Sequence, residues 1–371
     1  MEDQLPGEND LVIPDAWRRS LHARRGGAPG SKIKVPGPAA AARAVQGFVE
    51  QGRGVVEALL KGGAGEPELA EAARRHLDGR PDPAGAAVVA AVTSMGVGGH
   101  QGDKVCRAYV DVWVGEHGLG FAACALVELS RTKAVRKGGG TWLGTSVGAQ
   151  RVTDEYALQI PEQEAKRVRG LLAVASDADY ADAVERLAAH RSGWCASWLV
   201  SYLVPTREDW VDECCAAPPP QTRRHDLLGM VMPALGKPEQ LAAAFPARGL
   251  YWGQASRALL ASMADGIGPG VLPFLLTEVD GLSLESEDRK RIFETIAILP
   301  TDEAFQALLD RLDRKHVRAA VGEAARRFPV RALRLLARAG ADDLLASHVE
   351  AHPDLAGAEL PGLPEDVAAA V

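Results

Sequence analysis

TDEAFQALLDRLDRK (301–315), HVRAAVGEAARRF (316–328), PVRALRLLARAG (329–340) and ADDLLASHVEAHP (341–353) decide the fold. Each segment places apolar residues at helical spacing, and each opens on helix-start chemistry. Thr301 stands before two first-turn acids, which suit the positive end of a helix dipole. Pro329 fits the first position of a helix, and Gly340 fits a helix stop. The segments recur every 12 to 15 residues, and Val317-Arg318-Ala319 returns as Val330-Arg331-Ala332. Short amphipathic helices joined by minimal turns are the material of a HEAT or armadillo-like array. The expected fold is an all-α, HEAT/armadillo-like α-solenoid of short antiparallel helices.

The composition agrees. Aromatic residues are 5% of the 371-residue chain and hydrophobic residues 47%, so the apolar content is mainly Ala, Leu and Val. Alanine and leucine favour helices, whereas strand-rich chains lean on aromatic and β-branched residues. Upstream, helices are expected at 15–25, 39–61, 67–77, 83–95, 103–116, 119–131, 161–174, 177–190, 193–204 and 206–216. The stretch 132–153 carries three consecutive glycines and reads as a mobile loop, since each glycine costs a helix about 1 kcal/mol against alanine. Three segments are expected. Residues 1–38 form an arm, a short helix and a basic linker. Residues 39–153 form a first helical domain ending in a Gly-rich basic loop, and 154–371 form a HEAT-like repeat domain.

MEDQLPGEND at the start is acidic and polar, unlike a secretory signal. No run of 18 apolar residues is present, so no membrane span is expected. Five cysteines without a CxxC pair fit a reducing compartment, and a cytoplasmic location is expected.

ENDLVIPDAWRRSLHARRGG (8–27), SYLVPTREDWVDECCA (201–216) and FPVRALRLLARAG (328–340) together resemble the helical amino-terminal part of the MolR-like bacterial proteins. Members of that family carry a carboxy-terminal domain of unknown function, and some also a WGR domain. The resemblance implies a regulatory setting and no defined catalytic residues. Such a domain is one expected partner.

Candidate contact residues come from charge. Between Ala16 and Val49 stand Arg18, Arg19, Arg24, Arg25, Lys32, Lys34 and Arg43 with no acid. Arginines beside flexible glycine can follow a phosphate backbone or an acidic surface, although charge runs commonly only solubilise. A second basic group is Arg131, Lys133, Arg136 and Lys137, followed by Gly138–Gly140, Thr141 and Trp142. Glycine-rich backbone beside lysine can cradle phosphate, but the order differs from a P-loop. Trp142 is a candidate partner anchor. GVGGHQGDK (96–104) matches no nucleotide motif and reads as a helix connection. The acids of 341–371, seven with no Lys or Arg, give the chain an acidic end opposite its basic one.

Enzyme chemistry finds little support. Cys106, Cys124, Cys195, Cys214 and Cys215 lie among His100, His117, His190 and His225 without the spacing of a zinc site. A Cys195–His190 pair lacks an identifiable orienting acid. No cofactor and no metal are expected. Trp194, Trp198 and Tyr202 form one helical stripe, which is either core or an exposed groove anchor. The expected function is a non-enzymatic helical scaffold or regulatory module binding a protein partner. The alternative is a nucleic-acid-associated solenoid using the basic residues on phosphates, although a formal charge of −7 disfavours a dedicated nucleic-acid binder. A thiol or metal-dependent enzyme is the third reading.

Overall fold

Thr301 does cap a helix: its hydroxyl accepts the N–H of Ala304 at 3.2 Å. Ser176 and Ser256 cap two others, on Asp179 and Leu259. Pro38, Pro67, Pro238 and Pro329 each occupy a first helical turn, where their missing N–H costs nothing. These local signals recur through a computed structural model that describes residues 7–61, 64–97, 101–137, 146–152, 161–217, 224–245, 250, 255–281 and 284–359. The chain is mainly α-helical, with one short antiparallel hairpin.

It divides into two compact units. The smaller contains 1–22, 27–31 and 235–371; the larger contains 23–26 and 32–234. The expected division near residue 153 is not where the units part. The smaller unit begins with α1 (Asp15–Arg18), shorter than the expected 15–25 helix.

The larger unit runs α2 (Pro38–Gln51), α3 (Arg53–Lys61), α4 (Pro67–Leu77), α5 (Pro83–Val97), α6 (Gly102–Ser130), β1 (Thr132–Lys137) and β2 (Ser146–Arg151). It continues through α7 (Glu162–Ala173), α8 (Asp177–Ala188), α9 (Trp194–Leu203), α10 (Glu208–Ala216) and α11 (Arg224–Ala234). Apolar α5 lies at its centre and touches α2, α3, α4, α6 and both strands. Gly85 permits the close crossing with α4, since a Cβ there would sit 2.1 Å from the Ala72 carbonyl oxygen. Gly118, at φ 84°, breaks α6 where the sequence placed a gap between two helices. Trp198 and Tyr202 are fully buried, so their stripe is core.

The hairpin corrects the loop expected over 132–153. Thr132 pairs with Arg151 and Lys137 with Ser146. Val147 and Ala149 of β2 are buried, and Glu66 N–H donates to the Ala149 carbonyl at 2.8 Å. Gly138–Gly140, Thr141, Trp142, His100 and the acids Glu365 and Asp366 lie outside the described residues.

The smaller unit continues with α12 (Pro238–Ala244), α13 (Arg257–Ile267), a 3₁₀ turn (Gly268–Val271), α14 (Leu272–Asp280), α15 (Ser286–Ile296) and α16 (Asp302–Leu309). Then follow α17 (Val317–Arg327), α18 (Pro329–Arg338), α19 (Asp342–Ala351) and α20 (Pro353–Glu359). From α14 onward each helix touches the next. The pairs α13–α15, α15–α17, α16–α18 and α18–α20 also meet. Gly340 ends α18 in the left-handed conformation, at φ 60°.

Two helical stretches, Gly102–Ser130 and Arg257–Asp280, are long and apolar enough to cross a membrane. The first is broken at Gly118, mostly buried, and packed against α2, α5, α7 and α8. The second is broken by the 3₁₀ turn.

Candidate functional site

The basic N-terminal run is divided between the units. Arg18 pairs with Asp15 at 2.9 Å. Arg19 is exposed, with no side-chain partner among the described residues. Arg24 and Arg25 face inward. Arg24 Nη2 donates to the carbonyls of Pro233 (3.1 Å) and Ala234 (3.2 Å), the C-terminal end of α11, where a cation complements the helix dipole. Arg25 donates to the Ala175 carbonyl at 2.7 Å, pairs with Asp177, and lies 4.9 Å from the Tyr180 ring centre. Lys32 and Lys34 are exposed, and their ammonium groups have no partner among the described residues. Lys133 and Lys137 likewise project from one face of β1, while Arg136 lies on the opposite face.

A buried ionic knot, which the sequence did not reveal, ties the hairpin to α6. Glu128 is 5% exposed. Its carboxylate accepts from Arg151 and meets His190 Nδ1 at 2.6 Å. Burial pushes this carboxyl up, but the His190 bond and the Arg151 charge outweigh it, and the net direction is downward. The Arg151 N–H also donates to Glu66 Oε1 at 2.7 Å. All of this chemistry serves the junction of α6, β2 and the segment after α8.

Burial raises the Cys106 thiol to about 11 and those of Cys124 and Cys215 to about 12, and it raises Cys214 as well. Cys195 is 3% exposed. Among the described residues no group of three or more His, Cys, Asp or Glu side chains is placed to hold a metal.

One concave surface, lined wholly by described residues, belongs to the smaller unit. Its floor is built by the N-terminal segment. Pro14 starts α1, which turns Trp17 inward to 8% exposure. The segment is then clamped to α13: His22 N–H donates to Ser262 Oγ at 2.9 Å, and Ala28 N–H to Asp265 Oδ1 at 2.7 Å. Arg257, the first residue of α13, lies 5.4 Å from the Trp17 ring centre and reaches Glu294 of α15 at 2.8 Å. The opposite wall is α17, where Glu323 accepts from Arg326 and from Arg327. Ile298 and Ala320 complete an apolar floor. The groove holds about 350 Å³ and is lined by Arg257, Lys290, Arg326 and Arg327 against Glu294 and Glu323. A guanidinium group over an indole, beside carboxylates paired with neighbouring cations, suits a partner surface with charges of both signs.

His316 stands at one end of this groove. It precedes α17 at φ 75°, the left-handed region that a non-glycine residue enters at a cost of about 1 kcal/mol or more. Its Nε2 meets Ser286 Oγ at 2.9 Å. Sequence reading placed it only as a helix start; nothing local marks its conformation.

Comparison with curated proteins and with solved structures found no match. The profile of one family, described as the YehI second domain, matches residues 40–251. That stretch runs from α2 past α12 and ends before α13 and the helices that form the groove walls. The match covers more than half of the sequence, and the chain belongs to the YehI second-domain family.

Proposed function

We propose that this protein is a non-enzymatic helical scaffold that presents the Trp17–Arg257 groove to a protein partner. The observation that carries the reading is that groove: an indole floor, four cations and two carboxylates on the alternate helices α13, α15 and α17. Helices that each touch the next, and in the pairs α15–α17, α16–α18 and α18–α20 the next but one, suit a HEAT-like array whose concave side binds extended partners. Burial raises the Cys124 and Cys215 thiols, which counts against those two as nucleophiles. The resemblance to MolR-like proteins favours a module working beside other domains in the cytoplasm. The test is quantitative affinity purification from cytoplasmic extract with the full chain and with Lys290→Glu. At least one protein should be enriched by the native chain and reduced about tenfold by the variant, as loss of one interfacial charge contact commonly does. Identical sets from both baits would count against the groove.

A nucleic-acid-associated reading keeps one specific support: the ammonium groups of Lys32, Lys34, Lys133 and Lys137 are exposed with no partner among the described residues. Its test is anisotropy of labelled DNA and RNA over a salt series. Lys133→Glu/Lys137→Glu is the suitable variant, because reversing Arg24 or Arg25 breaks internal bonds. A log–log slope of about −4 that shrinks in the variant would support it; no binding at low salt would retire it.

A further inference from the structure

Beside the groove, on the other side of His316, lies a second concavity of about 440 Å³ with a different character. Its floor is Val279 and Phe293, each 1% exposed. Its rim carries Arg289, Arg314 and Lys315 against a single carboxylate, Asp280. That carboxylate is already shared. Arg311 reaches it at 2.7 Å and Arg314 at 2.6 Å, so two guanidinium groups face one acid. Arg289 spends one Nη2 bond on the Gly281 carbonyl at 2.8 Å and has no carboxylate partner among the described residues. Lys315 has no partner among them at all. The basin therefore carries an excess of positive charge around a space large enough for a small ligand. Two hydrogen-bonding groups, Ser286 Oγ and His316 Nε2, hold each other at its edge. His316 adopts a left-handed backbone there, at φ 75°.

We propose that this basin is a phosphoryl-binding site that takes inorganic phosphate or the terminal phosphate of a small phosphomonoester. Arg289 supplies a guanidinium fork, Lys315 a mobile point charge and Ser286 a hydroxyl donor, the donor types that phosphate oxygens accept best. The apolar floor limits hydration of the bound anion and strengthens these contacts. The proposal stands apart from the scaffold reading and does not depend on it.

The experiment is calorimetric titration of the full chain at low ionic strength with inorganic phosphate and, separately, with phosphoserine. Lys315→Ala, Arg289→Ala and an exposed control on the larger unit, Arg53→Ala, are titrated alongside. Saturable binding is expected, weakened at least about tenfold by Lys315→Ala and by Arg289→Ala and unchanged by Arg53→Ala, since each lost charged bond is worth a tenfold change or more. Arg289 also holds the Gly281 carbonyl, so Lys315→Ala, on an exposed side chain, is the deciding variant, with its fold checked by circular dichroism. Equal affinity for both probes would identify the free anion as the ligand, and tighter phosphoserine binding a phosphomonoester. Absence of saturable binding, or affinity untouched by Lys315→Ala, would overturn the proposal.

Discussion

Arg169 offers the sharpest test of how the larger unit is held together. The side chain is 1% exposed. Its guanidinium donates to three carbonyls from distant parts of the chain: Ala23 at 2.7 Å, Tyr202 at 2.8 Å and Pro233 at 2.8 Å. It also lies 4.6 Å from the Tyr202 ring centre. Hydrogen bonds to a charged group contribute about 1.5–3 kcal/mol each, so the three together amount to roughly 4.5–9 kcal/mol. Burying the guanidinium costs several kcal/mol in return. Removing one member of such a buried network leaves its partners unpaired, and the net loss for Arg169→Met should be about 3–5 kcal/mol. With a urea slope of about 2–3 kcal/mol/M, the transition of the larger unit should move down by about 1–2 M. Arg169→Lys keeps the charge but not the planar fork, and should recover less than half of that shift. Urea unfolding of the full chain, followed by circular dichroism, reads both. A shift under about 0.4 M for Arg169→Met would mean that desolvation cancels the bonds, and the reasoning would fail.

Four further substitutions test other positions. Glu8 caps α18 by accepting the N–H groups of Val330 (2.6 Å) and Arg331 (3.0 Å), in a helix whose own first turn has no acid. Glu8→Ala should cost about 1–2 kcal/mol in thermal unfolding, and Glu8→Gln less. Asp302 is held at about 2, chiefly by the Arg334 bond, with Arg331 adding and burial opposing. A depressed carboxyl stabilises above its unfolded value and loses that contribution as pH falls from about 4 towards 2. Asp302→Asn should flatten this window in acid titration by about 0.5–1 kcal/mol, a modest amount because the group is 41% exposed. Gly85→Ala should destabilise by about 1–3 kcal/mol, because the contact with the Ala72 carbonyl outweighs a helix gain of about 1 kcal/mol. Gly54→Ala, with open space around it, should instead stabilise.

Much of the helix layout was legible because its signals are local. Thr301, Pro67 and Pro329 mark starts through their own chemistry, and Gly118 and Gly340 mark a break and a stop through their own φ. The hairpin was not legible. Its strands hold because Val147 and Ala149 are buried and the backbone of 64–66 packs on β2, partners far away in sequence. The inward arginines were hidden for a related reason. Arg24 and Arg25 find carbonyls 209 and 150 residues away, and a carbonyl acceptor has no residue signature. A charge run looks the same whether it meets solvent or the ends of helices. The groove was invisible for the same cause: Trp17, Arg257 and Glu323 meet only through tertiary packing.

The central claim, that the groove of the smaller unit receives a protein partner, is tested most directly by site-specific photo-crosslinking in cells. A photoreactive residue replaces Ala319 on the groove wall or Gly47 on exposed α2 of the larger unit. A discrete adduct with one protein from position 319, absent from position 47 and suppressed by Arg257→Glu, is the predicted result. Adducts identical at both positions, or an adduct at 319 that survives Arg257→Glu, would contradict it.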